Sequence, residues 1–121
     1  MPWNVVAHPD LPIVETVYSG TLSGAEVAGA AAETLRIAAS LGRNRLFADC
    51  SMMEGGHTIF DLFFISDQLS LNALGLREAI LQPALASSLE KVQFWETACL
   101  NRGMQVRIFS RRDEATQWLL E

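Results

Sequence analysis

The spacing of apolar positions along this chain changes several times, and each change marks an element. Two short β-type runs open it, Trp3–Ala7 and Ile13–Tyr18, joined by His8-Pro9-Asp10-Leu11-Pro12. The prolines and the aspartate make that joint a turn, so the opening reads as a β-hairpin. After Gly20 the spacing becomes helical, with Val27, Ala30, Ala31, Leu35, Ala38 and Leu41 on one stripe. Ser23 with Glu26 predicts a capping box at the start of this helix, and Gly42 stands where a left-handed residue would end it. Arg45–Cys50 predicts a third strand, and Ser51–Gly56, with its two glycines, a loop.

Thr58 with Asp61 repeats the cap signature and predicts a second helix to about Leu74, stopped by Gly75. Glu78–Gln82 reads as a strand ended by Pro83, and Ser87 with Glu90 as the cap of a helix to Asn101. Met104–Phe109 reads as the last strand, and Ser110 with Asp113 as the cap of a short helix to Leu120. The order β-β-α-β-α-β-α-β-α implies an α/β fold. Its sheet is single, mixed and mostly parallel, with five strands and four helices, in one domain covering residues 1–121. In the last strand Met104, Val106 and Ile108 alternate with Gln105, Arg107 and Phe109, so one of its faces meets water.

Composition sharpens this picture. The chain has 121 residues, of which 50% are hydrophobic and 19% charged, which excludes disorder. That balance implies more apolar surface than one small core hides, which favours self-association or a ligand. A net charge of −5 disfavours nucleic acid, and Arg102, Arg107, Arg111 and Arg112 read as a solvated rim. Cys50 and Cys99 lack CxxC spacing and read as buried free thiols. No signal-peptide pattern opens the chain, and no apolar run reaches the roughly 18 residues of a membrane span, so a cytoplasmic protein is expected.

With this order of elements, several short sequences carry a family resemblance. They are Tyr18-Ser19-Gly20, Phe47-Ala48-Asp49-Cys50-Ser51, Phe94-Trp95, Arg102-Gly103, Arg107-Ile108-Phe109 and Glu114-Ala115-Thr116-Gln117-Trp118-Leu119. In their order and spacing the chain resembles the SpoIIAA-like group of small proteins, related to STAS and CRAL-TRIO domains. The resemblance implies a sheet wound with helices in sequence order. It also implies a regulatory or protein-interaction role, with Asp49-Cys50-Ser51 through His57-Thr58 matching the region that carries a phosphorylatable hydroxyl in anti-sigma-factor antagonists. The Asp-Ser-Ser-Gly signature of those proteins is absent here.

The candidate rim is therefore Asp49, Ser51, His57 and Thr58. A phosphate on Thr58 would lie at a helix N-terminus, although a plain helix cap accounts for the same residue. Asp49 is expected at the end of a parallel strand, where open sheets place ligands, or bonded to the turn that follows. Consecutive strand residues face opposite ways, so Asp49 and Cys50 do not both reach His57, and no enzyme signature is present. No catalytic role, cofactor or metal is expected. The second helix is apolar on two faces, Ile59, Leu62, Phe63, Leu69 and Ala73 on one and Phe60, Phe64, Leu71 and Leu74 on the other. One face packs on the sheet, and the other needs cover, from a neighbouring helix, a twofold partner or an apolar ligand. The first expectation is a non-enzymatic interaction module, a homodimer presenting the rim to an unknown protein partner. The alternative is a domain that binds a small apolar, lipid-like molecule along Phe60, Phe63, Phe64 and Leu71.

Overall fold

A computed structural model describes residues 2–70 and 75–121 of the chain. The strands are β1 (Trp3–Ala7), β2 (Ile13–Thr21), β3 (Arg45–Gly55), β4 (Arg77–Leu81) and β5 (Gln105–Phe109). The helices are α1 (Gly24–Leu41), α2 (Ile59–Ser70), α3 (Ala86–Leu100) and α4 (Arg112–Leu119). The five strands lie side by side in chain order, with β1 antiparallel to β2 and every later pair parallel. The expected mixed, mostly parallel α/β sheet is therefore present.

Two of the four expected caps form as the sequence predicts. Ser23 Oγ accepts from the Glu26 N–H at 3.2 Å, and the Glu26 carboxylate accepts from the Ser23 N–H at 3.0 Å. At α2, Thr58 Oγ1 accepts from the Asp61 N–H at 3.2 Å, and the Asp61 carboxylate accepts from the Thr58 N–H at 2.7 Å. The other two caps differ. The short connection through Pro83 brings α3 in at Leu85, which offers no side-chain bond, so Ser87 falls inside the helix instead of capping it. At α4 the cap position is Arg111 rather than Ser110, because Asp113 is held by the Arg111 guanidinium at 2.8 Å.

The segment Ser51–Gly55, expected as a loop, continues β3. It finds a partner because β2 also runs on, to Thr21. Val17 pairs with Asp49, Ser19 with Met52, Gly20 with Met53 and Thr21 with Gly55. β3 thus carries an extra residue between Asp49 and Met52 and another between Met53 and Gly55. Each such bulge reverses which residues face a given side of the sheet.

The sheet is covered unequally. On one face Val27 of α1, Leu62 and Ile65 of α2, and Val92 and Cys99 of α3 pack with Ala48, Cys50, Ile80 and Val106. On the other face, among the described residues, α4 is the one helix that packs, its Ala115 and Leu119 meeting Ile13, Phe47, Ala79 and Phe109. This one-sided cover, with β5 at the edge, explains why Gln105 and Arg107 are exposed while Val106 is buried. α4 is tied down by Arg112, which donates to both Glu15 carboxylate oxygens at 2.8 and 3.1 Å and to Asp49 at 2.9 Å. Its guanidinium also lies 4.5 Å from the centre of the Phe47 ring.

The turn from β3 into α2 depends on Gly56, whose φ is +98°. A Cβ there would stand 2.5 Å from Thr21 Cγ2 and 2.6 Å from the Leu22 carbonyl oxygen. We predict that Gly56→Ala destabilises the fold by about 2–4 kcal/mol in urea unfolding, through backbone strain together with that collision.

Candidate functional site

Beneath α1, α2 and α3 the packing leaves a cavity of about 80 Å³. β3 supplies its floor, with Leu46, Ala48 and Cys50 before the first bulge and Met53 after it. Ala31 and Leu35 of α1, Leu62, Ile65 and Leu69 of α2, and Val92 and Trp95 of α3 form the apolar walls. Thr16, Tyr18, Thr34, His57, Glu78 and Lys91 add polar groups to an otherwise apolar lining.

Most of these polar groups are neutral or already bonded. Thr34 donates its hydroxyl proton to the Ala30 carbonyl at 2.7 Å and accepts from Thr16, so both hydroxyls are engaged. Glu78 accepts from the Trp95 indole N–H at 2.8 Å. Burial raises the Glu78 pKa and so favours its neutral acid. Burial likewise pushes the Tyr18 phenol well up, helped by Cys50 and Glu78, and pushes the Cys50 thiol up. His57 moves the other way. Burial disfavours its charged ring and the Lys91 ammonium adds to this, which outweighs the nearby Leu22 and Gly55 carbonyls.

The four expected rim residues divide into two pairs on opposite faces of the sheet. Asp49 faces α4, bonded to Arg112 and accepting from the Ser51 N–H at 3.0 Å and the Ser51 hydroxyl at 2.6 Å. It sits within β3 instead of at its end, because the strand runs on to Gly55. His57 is buried on the cavity side, and Thr58 is exposed beside it at the start of α2. The Thr58 hydroxyl also donates to the Asp61 carboxylate at 3.0 Å, so a phosphate placed there would confront an acid.

The aromatic residues of α2 stand away from the cavity. Phe60 is 77% exposed and Phe64 66%, and Phe63 packs edge-on against Phe64 with the Arg102 guanidinium over its ring. Leu71, expected on the same face, lies outside the described residues, as do the other residues of the 71–74 segment. Among the described residues no group of His, Cys, Asp or Glu side chains is arranged to hold a metal ion, and no helix is long and apolar enough to cross a membrane.

Glu78, Lys91 and Ser88 did not stand out in the sequence, and Tyr18 and Trp95 did so only as carriers of the family resemblance. One signal was available for Glu78, a single acid within the apolar strand Ala79-Ile80-Leu81 that it opens. The others carry no local mark, since a lysine or serine early in a helix is usually solvated.

No family model matches the chain, and no curated protein matches it. A solved structure does: an uncharacterized protein of the DUF3478 family with a SpoIIAA-like fold, from Shewanella loihica PV-4. The match has a TM-score of 0.59 and 16% identity, and it covers 97% of this chain and 91% of that one. The chain has a SpoIIAA-like fold. At that identity the likeness extends to the architecture alone.

The raised Glu78 pKa has a defined consequence for stability. The folded protein binds this proton more tightly than the unfolded chain, so the contribution is complete below the ordinary value of 4.5 and is lost as pH rises through the folded value. Glu78→Gln keeps an acceptor for Trp95 and carries no charge. In urea unfolding it should gain on the parent protein steadily as pH rises from about 4.5 towards 8. A constant difference across that range would show that Glu78 titrates normally.

Proposed function

We propose that this domain binds a small, mainly apolar molecule in the cavity beneath α2. The observation that carries this reading is the cavity itself, about 80 Å³ of space with apolar walls and a few polar groups. Protein interiors seldom leave voids much larger than a water molecule. Apolar walls left uncovered at such a space forfeit contacts that an occupant would restore. The space is about half the roughly 150 Å³ cavity that accepts benzene, so the fitting ligand is compact.

The reading is non-enzymatic. The Cys50 thiol is held protonated by burial, and Asp49 faces the opposite side of the sheet. Two buried free cysteines accord with a reducing, cytoplasmic setting. Native mass spectrometry of the protein purified gently from its own cells tests the proposal, with a non-covalent mass expected. Ala31→Leu, which extends a wall residue into the space, should displace that mass while the protein stays folded. Ligand retained unchanged in Ala31→Leu would overturn the assignment to this cavity.

A second reading rests on the outer face of α2, where Ile59, Phe60, Phe63 and Phe64 are exposed together. Such a patch fits an interaction module that pairs with itself or with another protein in a regulatory role. Sedimentation at micromolar concentration should then show a dimer that Phe64→Ser dissociates. A monomeric parent protein would remove the self-association reading.

A further inference from the structure

We infer that the ligand of this cavity carries a carboxylate, held where Lys91, Ser88 and His57 converge at the start of α3. This rests on the reading of the cavity as a binding site and adds the chemical class of its occupant.

Lys91 is the only lysine in a chain whose net charge is −5, and it lines the cavity half-buried. Among the described residues it makes no ion pair. An ammonium with no counter-charge beside it leaves the place open to an anion. Gly55 leaves the room. With φ at +107°, its missing side chain would meet Lys91 Nζ at 3.5 Å and Ser88 Oγ at 3.9 Å. The ammonium and the hydroxyl thus lie close together over the Gly55 backbone.

Two further atoms lack well-placed partners. Ser88 is 0% exposed and its Oγ has no hydrogen-bond partner, while His57 is 3% exposed and its Nδ1 makes no hydrogen bond of good geometry, although the Leu22 and Gly55 carbonyls lie near the ring. Buried polar atoms are rarely left so, because each costs about 1–3 kcal/mol. Ser88 lies in the first turn of α3, whose cap residue Leu85 provides no side-chain acceptor. The amides of that turn and the positive end of the helix dipole therefore add to the attraction for an anion. The one other acid in the lining, Glu78, is a helical turn further along at Trp95, and burial favours its neutral form. The Asp61 carboxylate near His57 is occupied by Thr58. An acid with a compact apolar tail satisfies both ends, its carboxylate at Lys91 and Ser88 and its tail against Leu62, Ile65 and Val92.

Calorimetric titration of the full chain with propanoate, butanoate and 2-methylpropanoate, and with propanol, butanol and 2-methylpropanol, tests this. Each acid should bind roughly tenfold more tightly than the corresponding alcohol, the order expected of a charge-assisted hydrogen bond. Lys91→Met should erase that preference and leave the alcohols' affinity unchanged, with an unaltered melting temperature confirming its fold. Ser88→Ala should weaken the acids alone, by a smaller factor. Equal binding of acids and alcohols, indifferent to Lys91→Met, would overturn the carboxylate while leaving the cavity reading intact. No binding of either series would overturn both.

Discussion

The pairing of β2 with β3 is the constraint on which the rest of the molecule depends. β3 is central, is bonded on both edges, and has helices above and below it. Its first residues alternate strictly, sending Leu46, Ala48 and Cys50 to one side and Phe47 and Asp49 to the other. The extra residue after Asp49 then reverses the alternation, so that Met53 joins the cavity side. Without that bulge Met53 would face the α4 side and the upper part of the cavity would lose its wall. The bulge and Gly56 together bring the chain round to His57 and the start of α2.

The two faces of the sheet do different work. The α4 face is closed by charge. Glu15 is buried, and its carboxylate is satisfied by Arg112 and by His8 at 3.1 Å, while Asp49 takes the remaining Arg112 bond. Every one of these acids has a partner, so the face is settled structurally and offers little to a ligand. The opposite face is closed by apolar helices that do not quite fill the space. Its unpaired groups, Lys91, Ser88 Oγ and His57 Nδ1, gather where β3 ends and α3 begins. Open α/β sheets commonly bind ligands beyond the carboxyl ends of their strands, for the same reason that loops and helix starts meet there.

α2 joins the inner and outer surfaces. Its inner residues Leu62, Ile65 and Leu69 line the cavity, while Phe60 and Phe64 look outward. A helix apolar on both sides can move between packing on its own sheet and packing on a partner with little change in the area it buries. On the proposed reading, a molecule bound inside would hold α2 from within and so fix the surface it shows outside.

The sequence by itself determined the elements, their order, and the starts of α1 and α2, because these follow from local periods and from caps that bond within a few residues. It also showed that α2 is apolar on more than one side, but Ile59 and Phe63, expected on the packing face, lie exposed beside Phe60 and Phe64, and Ile65 takes the inner place. Tertiary structure decided the rest. The continuation of β3 past Cys50 needed β2 as a partner, and the starts of α3 and α4 were set by where the strands delivered the chain. The separation of Asp49 and Ser51 from His57 and Thr58 came from the turn at Gly56 beyond the end of β3, which no local pattern shows. The cavity, and the meeting of Lys91, Ser88 and His57 beside it, depend on how three helices lie over one sheet. No local pattern records that geometry, because each of these residues looks ordinary until its neighbours are in place.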